Sequence, residues 1–165
     1  MSKSSFRAAA AALAGILIAI GGCSENPSAA TGYQFIHRAS RGPLADVSGT
    51  SSAVIDARGG SVVTPLGDRI TFPAGALTQP TTITVRSSTE YVGVEVEPHG
   101  LRFTAGREPV LTLNSAGANV AGYRSLDVVY VGDSGNVEDV LRTQASNGTL
   151  TATLPHFSIY TAAGH

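Results

Sequence analysis

The chain predicts an all-β fold, a single antiparallel β-sandwich domain behind a signal peptide and a flexible tether. Three observations carry this. Every long periodic segment after the N-terminus alternates with period two, and none has the helical period. Short β-branched runs at residues 61–64, 69–72 and 81–85 lie between glycine and proline punctuation, the pattern of strands separated by turns. Asn147-Gly148 between two polar-apolar runs is a strong two-residue hairpin signal. The domain is expected over residues 53–165, a size that supports one sandwich core.

Taken in order, residues 1–22 read as a lipoprotein signal peptide. Lys3 and Arg7 form a short basic region, and residues 8–20 are an apolar run of 13, short for a membrane span. Ile20-Gly21-Gly22-Cys23 then closes the run with small residues. It looks like a lipobox, with isoleucine where leucine is more usual. Cys23, the only cysteine among the 165 residues, is the expected site of a diacylglycerol thioether, and cleavage before it frees an amine for a third acyl chain. A lone cysteine excludes an internal disulfide and a cysteine metal site.

Residues 23–52 are expected to be the lipidated cysteine and its tether, rich in Ser, Pro, Ala, Gly and Thr. If all 29 residues from 24 to 52 were flexible, their root-mean-square reach would be about 30 Å. Within them Tyr33-Gln34-Phe35-Ile36-His37 is more apolar than a linker needs. It either adds an edge strand or is a sticky piece of tether, and the sequence favours neither. Arg38 and Arg41 offer anionic headgroups a marginal attraction and are read as solvated linker charge.

In the expected domain, Gly59-Gly60 and Leu66-Gly67-Asp68 supply turns. Pro73 ends a strand, residues 74–77 are expected to form one helical turn, and Leu77 caps the core. Residues 92–97 alternate, a loop leads to the run at 109–113, and residues 114–122 read as loop. Residues 126–131 form a strand, Asp133-Ser134-Gly135-Asn136 turns it, and residues 137–143 return. After the hairpin, Leu150, Ala152 and Leu154 share a face, and residues 157–160 make the last strand.

This succession resembles the ZU-five domain. The resemblance rests on Gly59-Gly60, a short strand, Gly67-Asp68, an apolar strand ending in Pro73-Ala74-Gly75-Ala76-Leu77, and the Thr-rich strand at 81–85. Pro98, Gly100 and Phe103, then Pro109-Val110-Leu111 and Leu113, continue it, so that it covers residues 54–160. That β-sandwich is shared by ankyrins, netrin receptors and tight-junction scaffolds, with related domains in bacterial lipoproteins. It implies protein binding, although no spectrin-site motif is present to carry over.

The mature chain from Cys23 carries 9 arginines against 12 acids, a net charge of about −3 with histidine neutral. No basic stripe with interleaved aromatics appears, so nucleic acid is not an expected partner. Glu95 and Glu97 share a strand face, as acid/base catalysis or a divalent cation would need, but an exposed alternating strand explains them. Residues 133–139 resemble a calcium loop loosely, and a hairpin turn accounts for them without metal. His37, His99, His156 and His165 have no metal-ligand spacing, and no cofactor is expected. No Gly-x-Ser-x-Gly elbow, phosphate loop or dinucleotide fingerprint occurs. Asn147-Gly148-Thr149 matches a glycosylation sequon, but a bacterial lipobox and a turn suffice to explain it.

Pro155-His156-Phe157-Ser158 matches the His-Phe-Ser at which some ZU-five proteins cleave themselves, the serine hydroxyl attacking the preceding carbonyl before water opens the ester. By that resemblance Ser158, His156 and Phe157 would be the catalytic group. The competing reading, which is preferred, puts His156 at the entry of the last strand and Phe157 in the core. The family's base comes from a histidine on the strands just before the site, and residues 124–155 contain none.

The expectation is therefore a non-enzymatic bacterial lipoprotein, with the membrane and an envelope protein as partners. Its place is the cell envelope, with the outer membrane favoured by Ser24 after the cysteine. A self-cleaving domain is the alternative. Carbohydrate binding by a sandwich face comes third, disfavoured by the absence of Trp and by only 5 Tyr.

Overall fold

The computed structural model describes residues 32–39 and 49–165, so the signal region and Cys23 lie outside the described residues. The described residues contain twelve strands and no helix. They are β1 (Gln34–Phe35), β2 (Thr50–Ile55), β3 (Gly60–Val63), β4 (Arg69–Phe72), β5 (Thr81–Ser87) and β6 (Gly93–Glu97). There follow β7 (Val110–Asn114), β8 (Leu126–Val131), β9 (Val137–Leu141), β10 (Thr143–Ser146), β11 (Thr149–Thr153) and β12 (Ile159–Gly164).

All pairings are antiparallel. One sheet has seven strands in the order β2-β5-β6-β12-β8-β9, with β1 also on β12; the other has five in the order β10-β11-β7-β4-β3. Among the places where the chain crosses between the sheets are the tight turn from β2 to β3, where Asp56 bridges Gly59, and the step from β9 to β10, where the Thr143 hydroxyl accepts from the Val128 N–H.

Alternation builds the core. Ile70 and Phe72 of β4, Leu111 and Leu113 of β7, and Leu150 and Ala152 of β11 point inward from the five-stranded sheet. They meet Ile83, Val85, Val94, Val96, Val128 and Tyr160 from the other. Each such aliphatic side chain stabilises the fold by roughly 1.5–3 kcal/mol relative to exposure. Phe72, Phe103 and Phe157 close one end with edge-to-face rings, 5.9 Å between Phe72 and Phe157 and 5.1 Å between Phe103 and Phe157. Leu77 is buried beside them.

Three expectations need correction. Residues 74–77 are not a helical turn: Ala76 N–H donates to the Pro73 carbonyl at 3.1 Å, and a φ of +80° at Gly75 marks a type II β-turn. The return after the 133–136 turn is two strands in different sheets, β9 and β10. The folded part begins before residue 53, because residues 34–38 are built into the sandwich and β2 begins at Thr50. Ile36 explains this: it is 1% exposed in the main core, and its apolar burial holds the segment down. The hairpin stands as read, with Asn147 and Gly148 both at positive φ, 47° and 74°, and Ser146 opposite Thr149.

Candidate functional site

β12 lies between β8 on one side and β6 on the other, and where β6 ends at Gly93 the same edge of β12 is taken up by β1. Tyr160 and Ala162 enter the main core. By alternation Ile159, Thr161 and Ala163 face outward, and a second apolar cluster forms there from Val129, Val131 and Ala163 with Tyr33, Phe35, Val137 and Ile159 packed on it.

Beside that cluster the outer face holds a groove of about 380 Å³. Phe35 and Tyr91 form one wall, edge to face at 5.9 Å, and Val131 and Ile159 the other. Gly93 and Thr161, direct cross-strand partners, line it between them. A Cβ at Gly93 would stand 2.8 Å from Thr161 Oγ1 and from the Tyr160 carbonyl oxygen, so no other residue fits there without displacement. A single cross-strand row, Arg86 to Glu95 to Ile159 to Val131, runs from charge into apolar surface. Arg86 Nη1 donates to Glu95 Oε2 at 2.6 Å, and His99 Nε2 lies 3.5 Å from the other oxygen of Glu95. Such a trough, apolar within and charged at one end, suits non-covalent docking of an apolar side chain flanked by polar groups.

The second polar constellation is buried. Asp68 is 0% exposed; its carboxylate accepts from the Arg38 guanidinium, from the Ser87 hydroxyl and, at 2.8 Å, from Asn114 N–H. Arg38 also donates to the Ser88 carbonyl at 2.8 Å and the Asn114 carbonyl at 2.9 Å, so one guanidinium ties both sheets together. Thr64 Oγ1 meets Ser87 Oγ at 2.7 Å and accepts from Asp68 N–H. Burial pushes the Asp68 carboxyl above its ordinary range, and the charge of Arg38 is the largest pull against that shift. Arg38 is thus not the solvated linker charge expected of it: its side chain is 10% exposed and its donors are engaged in the fold.

The other sequence candidates are dispersed. Glu95 pairs with Arg86, while Glu97 is exposed on the same strand face. Residues 133–136 form the turn between β8 and β9, Gly132 N–H donating to the Asn136 carbonyl at 3.0 Å. No three His, Cys, Asp or Glu groups among the described residues are placed to hold a metal ion. His37 tilts against Tyr91 at 4.7 Å, His165 meets Tyr33 edge to face at 4.9 Å, and His156 meets Tyr130 edge to face at 4.9 Å. Phe157 is in the core. Its carbonyl accepts from Gly100 N–H at 2.9 Å and lies 3.3 Å from His156 Nδ1. Ser158 is half-buried, and among the described residues no hydrogen bond joins its hydroxyl to a histidine.

Fold and surface together define a two-sheet antiparallel β-sandwich with an apolar groove on one outer face and a buried ion pair pinning its first strand. No protein-family model matches the chain, and no curated protein matches it.

Proposed function

We propose that this chain is a bacterial lipoprotein, acylated at Cys23, whose ZU-five-like sandwich binds an envelope protein without enzymatic chemistry. The groove on the outer face of the seven-stranded sheet carries this reading. Its walls, Phe35, Tyr91, Val131 and Ile159, are apolar, and the Arg86 and Glu95 pair at its end gives a partner register. The lipobox pattern at residues 20–23 supports the anchor, and Ser24 favours the outer membrane.

A photo-crosslinking residue placed at Tyr91 of the full chain in its own envelope tests the binding face, with the same residue at Thr151 as control on the opposite sheet. A discrete adduct from position 91 and none from 151 is the expected result. Identical adducts from both positions, or none from either, would remove the groove from the account.

A further inference from the structure

Residues 34–38 occupy a slot whose main-chain bonds run along one edge of the segment, first to β12 and then to the loop before β6. Toward β12, Ile36 N–H donates to the Ala162 carbonyl at 2.9 Å and Phe35 stands opposite Ala163. Toward the loop before β6, Val92 N–H donates to the Ile36 carbonyl and Arg38 N–H to the Glu90 carbonyl, both at 2.8 Å. The side chains alternate into separate seats. Phe35 packs in the outer cluster, Ile36 enters the core, and Arg38 reaches Asp68. Main-chain bonds for affinity and alternating pockets for specificity are the mode by which a sheet binds an added strand.

Every wall of this slot comes from residue 49 onward, and the occupying strand joins those walls only through residues 40–48. The ends of that connection are held close together: Arg38 Nε donates to the Ser88 carbonyl, and Ser87 N–H donates to the Gly49 carbonyl, each at 2.8 Å. Nine residues therefore join two points fixed by neighbouring residues of one strand end. Drawn out, a connection of that length spans about 30 Å, roughly the width of a small domain.

We propose that the slot also takes the first strand of a second copy, so that two chains exchange residues 33–38 and seat each other's Ile36 and Arg38. An exchanged pair makes every contact of the single chain, and a two-fold exchange closes on itself. What separates the two forms is the lost translational freedom of the partner and any strain in the connection, so the dimer depends on concentration. This inference goes beyond the lipoprotein reading and does not depend on acylation of Cys23.

The test uses the full mature chain carrying Cys23→Ser, which has no thiol. Phe35→Cys and Ala163→Cys are placed on separate chains; these are Cα partners of one antiparallel pair, at a spacing a disulfide can bridge. The two are unfolded, mixed and refolded at rising concentration under oxidation. The expected result is a crossed disulfide heterodimer, with a concentration-dependent dimer of the Cys23→Ser parent in size exclusion. A parent that stays monomeric at every concentration overturns the proposal. So does a dimer whose crossed pair fails to bond while both cysteines placed in one chain close their own bond.

Discussion

Replacing Arg38 with alanine removes the guanidinium that donates to Asp68, to Ser88 O and to Asn114 O, and leaves a carboxylate with 0% exposure. Ser87 Oγ and Asn114 N–H still donate to it, but no cation remains. Removing one partner of a buried pair costs about 3–5 kcal/mol, because the stranded charge keeps its desolvation cost. At 10% exposure of the Arg38 side chain, solvent screening reduces this little. A domain stable by about 5–15 kcal/mol would lose a large part of its margin. Urea unfolding followed by far-ultraviolet circular dichroism reads the loss as a midpoint about 2 M lower, for a slope near 2 kcal/mol/M.

The pH dependence has a definite sign. Burial already raises Asp68, and without Arg38 the carboxyl rises further in the folded state than in the unfolded one. The penalty is then fully present above the folded pKa and is relieved as pH falls through it toward the ordinary carboxylate range. The gap between Arg38→Ala and the parent should be widest near neutrality and narrow in acid. A cost below about 1 kcal/mol at neutral pH, or a gap that does not change with pH, would refute the reasoning. Arg38→Met with Asp68→Leu should recover most of the loss, since neither charge is then buried alone.

Four further outcomes are expected. Phe72→Ala or Phe157→Ala should each cost about 3–5 kcal/mol and Leu77→Ala about 2–5 in denaturant titration, with Phe103→Ala costing less because its ring is half-buried. The double variant Glu95→Ala, Glu97→Ala should cost at most about 1 kcal/mol, the worth of an exposed ion pair; a loss like that of a core truncation would reveal a bound ion. Cys23→Ser should leave the membrane fraction or stall in maturation, and normal attachment of that variant would end the lipoprotein reading. Intact mass of the mature protein should show an uncut Phe157-Ser158 bond, whereas a chain ending at Phe157 that Ser158→Ala restores would establish self-cleavage.

The strands were legible because their burial is one-sided: where β4, β7 and β11 alternate, apolar and polar residues alternate in print. The buried ion pair was not, since Asp68 follows Gly67 and reads as turn chemistry. Yet residues 62, 64, 66, 68, 70 and 72 are all buried, so the inward period of β3 and β4 runs straight through the turn and carries Asp68 inside with it. That unbroken period was the available sign. Its partner had none, because Arg38 stands in a polar stretch thirty residues earlier, and only the fold brings the two together. The groove was likewise out of reach. Its walls come from β1, the loop before β6, β8 and β12, and Phe35 belongs to a stretch whose composition left strand and tether equally open.

The position of β12 bears on how the chain comes to be assembled. It is the twelfth strand in sequence yet an interior strand of its sheet, bonded to β6, β8 and β1, with Gln34 paired to Gly164. Until those residues emerge, β6 and β8 have no neighbour between them, and β1 lacks its strand partner. Local hairpins such as β10 with β11 can close early, but the larger sheet waits for its longest-range pairing. A polypeptide threaded N-terminus first through a narrow passage would therefore stay open until most of it had crossed, and would lock only afterwards, on the far side.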